Sequence, residues 1–150
     1  MAAIKDLDHP NIIKYIDHFV SERGFFSLIS EFAPNGTLKD IIMDEDKRPK
    51  TEKEIRKYFT MMCEGLNYLH SKNIIHRDFK PDNIFIGSDG LLKIGDFGLS
   101  KIMKASQFLA SSKKICTGPL FKAPELVNNY PHNYKVDEWA LGISLYFMCS

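Results

Sequence analysis

Thr51-x-x-Glu54 opens the most regularly patterned stretch of the chain. Ile55, Tyr58, Phe59, Met62, Leu66 and Leu69 recur at helical spacing, and Lys53, Arg56, Lys57, Glu64 and Asn67 fall on the other side. A Thr followed three residues later by Glu satisfies orphan N–H groups at a helix start, so the pattern predicts a helix from Thr51 to His70. Upstream, Ile12-Ile13-x-Tyr15-Ile16 and Phe25-Phe26-x-Leu28-Ile29 are apolar runs of strand length on either side of a polar turn at 21–24, which reads as a hairpin. Asn35-Gly36-Thr37 punctuates the chain and caps a short helix, and 44–50 is a charged surface loop containing proline. Ile84-Phe85-Ile86 and Leu91-Leu92-Lys93-Ile94 flank Ser88-Asp89-Gly90, a second hairpin. Residues 101–114 are polar, Ser-rich and without period, as a mobile segment is. From Val136 onward the pattern is an apolar helix.

Composition narrows the class without changing this picture. At 150 residues, 44% hydrophobic and 26% charged, the chain suffices for one ordinary globular domain. Its net charge of +1 and evenly spread basic residues argue against nucleic acid as a partner. Cys63, Cys116 and Cys149 are isolated and odd in number, which supports neither a zinc site nor a disulfide framework and fits a reducing compartment. The longest apolar stretch, 140–149, is too short to span a bilayer, so the reading is a soluble, intracellular, cytoplasmic protein, with nuclear or cytoskeletal association left open and no membrane partner. Oligomeric state is not legible.

The candidate chemistry sits in two loops. His76-Arg77-Asp78-Phe79-Lys80-Pro81-Asp82-Asn83 is followed by Asp96-Phe97-Gly98, with Asp96 18 positions after Asp78. Phosphoryl transfer needs one carboxylate facing the nucleophile and further oxygen ligands holding hard cations on the phosphates. Asp78, Asn83 and Asp96 are of those types. Ala123-Pro124-Glu125 and Asp137-x-Trp139-x-x-Gly142 follow in order. Four such motifs in sequence exclude a chance cluster of turn residues.

With these motifs the chain resembles the eukaryotic protein kinases over essentially all its length. Lys80, two residues after Asp78, makes it similar to the serine/threonine type, and His9-Pro10-Asn11-Ile12, Cys116-x-Gly118 and Trp139-Ala140-Leu141-Gly142 resemble the NIMA-related kinases. The resemblance implies an α+β fold, a partial kinase domain over 1–150. Residues 1–30 would be a remnant of the amino-terminal lobe with its last two strands, 31–36 the hinge, and 37–150 an incomplete helical carboxy-terminal lobe. It implies ATP and Mg2+ as cofactors and a protein Ser/Thr as substrate. Asp78 would accept the hydroxyl proton, Lys80 neutralise charge on the transferring group, and Asn83 and Asp96 bind metal. Glu31 and Ala33 would bond the adenine through their backbones, with Phe85 beneath the ring and Ser30 as a small residue behind it. Ile4, Tyr15, His76 and Phe97 match a stacked spine anchored by Asp137. Arg77 matches the arginine that pairs with an activation-segment phosphate, for which Ser111 or Ser112, and less so Ser106, are the candidate acceptors because Ile115 occupies the usual position.

Departures from the family pattern temper the expected activity. The chain contains no Gly-rich loop, no V-A-I-K lysine and no regulatory-helix glutamate. Gly118-Pro119 is one residue shorter than the family's Gly-Thr-Pro and lacks its bridging Thr. Leu141, Ile143, Leu145, Tyr146 and Phe147 are expected to stay partly exposed, each forgoing roughly 1.5–3 kcal/mol of burial. This polypeptide by itself is therefore expected to transfer phosphate at a trace rate. A pseudokinase-like binding module and an inactive truncated product are the alternative readings.

Overall fold

The computed structural model describes residues 5–102 and 119–150. The first pair of strands, β1 (Tyr15–Val20) and β2 (Phe26–Ser30), forms the expected antiparallel hairpin, with Tyr15 opposite Ser30 and Val20 opposite Phe26. Its turn is closed by the Ser21 N–H on Phe25 O, and Gly24 takes the left-handed conformation (φ +78°) that favours glycine. Ile12 and Ile13, expected in the first strand, lie outside it. Both are buried, and Ile12 makes a parallel bridge to Ile94 while the Ile13 N–H donates to Ile94 O. Successive residues of a strand face opposite sides, so two adjacent buried isoleucines belong to the core rather than to an exposed ribbon.

Helix α1 (Leu38–Met43) starts at Thr37, whose side chain and Asp40 form a reciprocal capping box. Helix α2 (Glu52–Ser71) starts at Thr51 in the same way with Glu54. Its buried face is Met61, Met62, Gly65, Leu66 and Leu69, whereas Ile55, Tyr58 and Phe59 are only half-buried, the first two turns lying nearer the surface. Gly65 permits the closest approach: a Cβ there would lie 2.6 Å from Ile94 Cδ1 and 2.9 Å from Asn11 O.

After α2 come β3 (Ile74–Ile75), the hairpin β4 (Ile84–Ile86) and β5 (Leu92–Ile94), and β6 (Lys101–Ile102), which pairs antiparallel with β3. The segment expected to be without structure from Lys101 thus begins with a short strand. Helices α3 (Pro124–Val127) and α4 (Lys135–Cys149) complete the described elements. Val136, Asp137, Ala140, Ser144 and Met148 of α4 are buried, Leu141, Ile143, Leu145 and Phe147 half-buried, and Tyr146 exposed, as the burial argument from sequence expected. The fold is α+β: four helices and three two-stranded antiparallel sheets among the described residues, with one main core joining α1, α2, β4, β5 and α4. Among these residues no helix is long and apolar enough to cross a membrane.

Candidate active site

The loop from β3 into β4 is held by one buried carboxylate. Asp137, on α4, accepts the backbone N–H of His76 (2.9 Å) and of Arg77 (2.8 Å), and bonds His70 Nε2 of α2 at 2.8 Å. Arg77 consequently takes a left-handed backbone, φ +66°, unusual for a residue with a side chain. The His76 ring continues the network. Its Nδ1 accepts the Asp78 N–H (3.2 Å), so Nε2 carries the hydrogen that goes to Gly95 O at 2.9 Å. Gly95 in turn donates its N–H to Asn83 O at 2.9 Å. The two motif loops are therefore tied to each other at Gly95, and both to α4 through Asp137.

Asp78 lies inside this network, 9% exposed. Its Oδ2 accepts from Lys80 Nζ (3.0 Å) and from Asn83 Nδ2 (2.9 Å), and Asn83 Nδ2 also reaches Asp78 O at 2.9 Å. The 3-10 turn Pro81–Asn83 makes this geometry: Pro at its start presets φ, and the turn brings Asn83 back over Asp78. Asn83 thus commits its N–H groups to Asp78, and among the described residues nothing donates to its Oδ1.

Asp96 is also left-handed (φ +55°), with its Oδ1 accepting the Gly98 N–H at 3.3 Å to cap the following 3-10 turn. Asp96 and Asn83 line one cleft of about 680 Å³ together with Ser30, Glu31, Ala33, Phe85 and Phe97. Phe85 is fixed under the cleft because Gly95 lacks a side chain, a Cβ there falling 2.8 Å from the ring. Among the described residues, the Ala33 N–H has no protein acceptor, while the Glu31 N–H is bound to Lys14 O.

Of the residues singled out from sequence, Glu31, Ala33, Asn83, Phe85 and Asp96 share this cleft, and Asp78 and Lys80 join it through Asn83. His76 and Phe97 are in ring contact (centroids 5.5 Å), the Tyr15 hydroxyl shares a hydrogen bond with His18 Nδ1, and Ile4 lies outside the described residues. Arg77 is half-buried, its Nη2 reaching Ser100 O at 3.5 Å, and burial lowers its pKa against the opposing pull of Asp137. Ser106, Ser111, Ser112, Ile115, Thr117 and Gly118 lie outside the described residues. Sequence reasoning missed His70 as the third partner of Asp137, and the ion pair of Lys93 Nζ with Glu31 Oε1 (3.2 Å). Both join residues more than sixty positions apart, and no local signal marks them.

The donor set suits a hard cation shared with phosphates. Mg2+ is held by one or two carboxylates together with phosphate oxygens and waters. Asp96 and the Asn83 Oδ1 are such oxygens on one wall, and among the described residues no three His, Cys, Asp or Glu are grouped to hold a metal unaided.

The protein kinase domain family matches residues 1–150. Similar proteins include the cell cycle serine/threonine-protein kinase CDC5/MSD2 of Saccharomyces cerevisiae, 38% identical over 95% of this chain and 20% of its own length. The mouse serine/threonine-protein kinases Nek1 and Nek4 are 34% and 31% identical over 100% and 98% of the chain. The chain belongs to the protein kinase domain family. It covers 12% of Nek1 and 18% of Nek4, so it spans about a fifth or less of these relatives.

Proposed function

We propose that the chain carries the nucleotide and phosphoryl-transfer site of an ATP-dependent serine/threonine protein kinase. The observation that carries the reading is the joining of Asp78, Lys80 and Asn83 by hydrogen bonds, with Asn83 and Asp96 on one cleft floored by Phe85. MgATP, when bound, supplies the phosphoryl group and the cation that neutralises its charge. Glu31 O and the Ala33 N–H are the groups that read the adenine edge. Asn83 Oδ1 and Asp96 hold the metal. Asp78 Oδ2 orients the substrate hydroxyl and takes its proton, and Lys80 Nζ, 3.0 Å away, offsets charge on the transferring group. The substrate is a protein Ser or Thr. Arg77 is the charge that a phosphate on Ser111 or Ser112 engages to order the activation segment, exchanging its present hydrogen-bond partners for the phosphate. Cytoplasmic residence belongs to the same reading.

Nucleotide titration of the protein with and without Mg2+ tests it. Wild type is expected to bind ATP more tightly with Mg2+, and Asp96→Ala to lose that gain while still binding adenosine. Magnesium dependence unchanged in Asp96→Ala removes the assignment of this wall. Where phosphoryl transfer is measurable, Asp78→Asn should abolish it without changing nucleotide affinity.

A further inference from the structure

Glu31 lines the cleft, yet its carboxylate is committed elsewhere. Its Oε1 accepts the Lys14 N–H at 2.8 Å while the Glu31 N–H donates to Lys14 O at 2.9 Å, so one residue engages both backbone groups of Lys14. The same oxygen receives Lys93 Nζ at 3.2 Å. Lys93 belongs to β5, directly opposite Phe85 in the hairpin register and three residues before Asp96. Its stem runs along Gly87, where a Cβ would meet Lys93 Cε at 2.8 Å, and the Gly87 carbonyl is bound by Asn35 Nδ2 at 2.7 Å. The pair is shielded: the side chains are 13% and 29% exposed, in contrast to solvent-exposed ion pairs, which contribute little.

We propose that Lys93 is a positioning residue for the base-binding rim of the cleft. Through Glu31 it ties the segment carrying Glu31 O and the Ala33 N–H to the strand that leads into Asp96. Because Glu31 also grips Lys14, the carboxylate joins the β1–β2 hairpin and the β4–β5 hairpin at one point. Without Lys93, Glu31 keeps its bond to Lys14 and Ile13 keeps its bond to Ile94 O, but the carboxylate loses its own anchor to β5, and the rim at 31–33 is held less firmly. The inference rests on the nucleotide-site reading above.

Binding of adenosine and of MgATP, measured by calorimetry on the protein and its variants, tests it. Lys93→Met is expected to weaken both ligands by the same factor, about three- to tenfold, because the base carries the loss, while the melting temperature stays within about 2 °C. Lys93→Arg, which restores a cation to Glu31, should return affinity to within about twofold. Glu31→Gln introduced into Lys93→Met should add less than about twofold, since the pair is already broken. Unchanged adenosine affinity in Lys93→Met overturns the inference, as does full additivity of the two substitutions. So does a large fall in melting temperature that Lys93→Arg leaves uncorrected. Wild-type protein that binds neither ligand removes the nucleotide-site reading and this inference with it, whereas wild type and Lys93→Met binding equally well removes the inference alone.

Discussion

Replacing Asp137 by Ala should be the most damaging single change outside the cleft. The side chain is 1% exposed and holds three donors: the N–H groups of His76 and Arg77 and the ring nitrogen of His70. Removing it leaves those donors without their acceptor, and each stripped buried group costs about 1–3 kcal/mol. It also releases Arg77 from a left-handed backbone that the carboxylate helps to hold. Allowing for partial relaxation, the loss is about 3–5 kcal/mol, a large share of the roughly 5–15 kcal/mol that keeps a domain folded. In urea, with a slope of about 2 kcal/mol per molar, the unfolding midpoint should fall by about 2 M. Asp137→Asn keeps one oxygen but turns an NH2 toward a donor, so it should recover only part of the loss. Far-ultraviolet circular dichroism across a urea series reads both. A midpoint for Asp137→Ala within about 0.3 M of wild type would refute the claim that this carboxylate holds the loop together.

Three further outcomes are expected. Thr51→Ala removes the N-cap of α2 and should cost about 1 kcal/mol at neutral pH. Thr51 also lowers the pKa of Glu54, a depressed carboxylate whose contribution is present above its unfolded pKa and lost as pH falls through the folded one. The penalty should therefore shrink in melts recorded in acid, and a pH-independent penalty would contradict the box. Gly65→Ala places a Cβ 2.9 Å from Asn11 O, and the overpacking, about 1–3 kcal/mol, should outweigh the gain in helix propensity in a denaturation series. Cys63 is half-buried with its pKa raised by burial, while Cys149 is exposed, so peptide mapping after brief alkylation at mildly alkaline pH should find Cys149 modified before Cys63.

What the sequence made legible was local. The start of α2 was written in Thr51 and Glu54, and the cap of α1 in Thr37, because a capping box spans only four positions. The β4–β5 hairpin followed from Gly90, which adopts φ +73° in its turn. Ile12 and Ile13 were read as strand because period and hydrophobicity cannot distinguish an apolar ribbon from a segment buried against β5. Strand β6 escaped notice because two residues carry no pattern, and its partner Ile74–Ile75 is far upstream. Motif spacing groups Asp78, Asn83 and Asp96, and the resemblance to the protein kinases adds Phe85. The hydrogen bonds by which Asp137 holds the His76 and Arg77 backbone and the His70 ring, and the ion pair of Lys93 with Glu31, emerge only once α4 and β5 are packed.

Both motif loops contain a non-glycine residue in the left-handed region, Arg77 at φ +66° and Asp96 at φ +55°. Each is a strained conformation, of order 1–3 kcal/mol, that glycine would adopt without cost, so the side chains at these positions must do what glycine cannot. Asp96 brings the carboxylate to the cleft and caps its own turn on Gly98, and Arg77 brings a half-buried guanidinium beside Ser100. The strain at Arg77 is held from α4 by Asp137. At Asp96 the preceding Gly95 is pinned between Asn83 O and His76 Nε2. Because His76 belongs to both arrangements, through its N–H on Asp137 and its ring on Gly95, the two strained residues are not independent. The buried His76 imidazole is thus the hydrogen-bonded link between the two loops that carry the strained residues, its ring binding Gly95 O on one side and accepting the Asp78 N–H on the other.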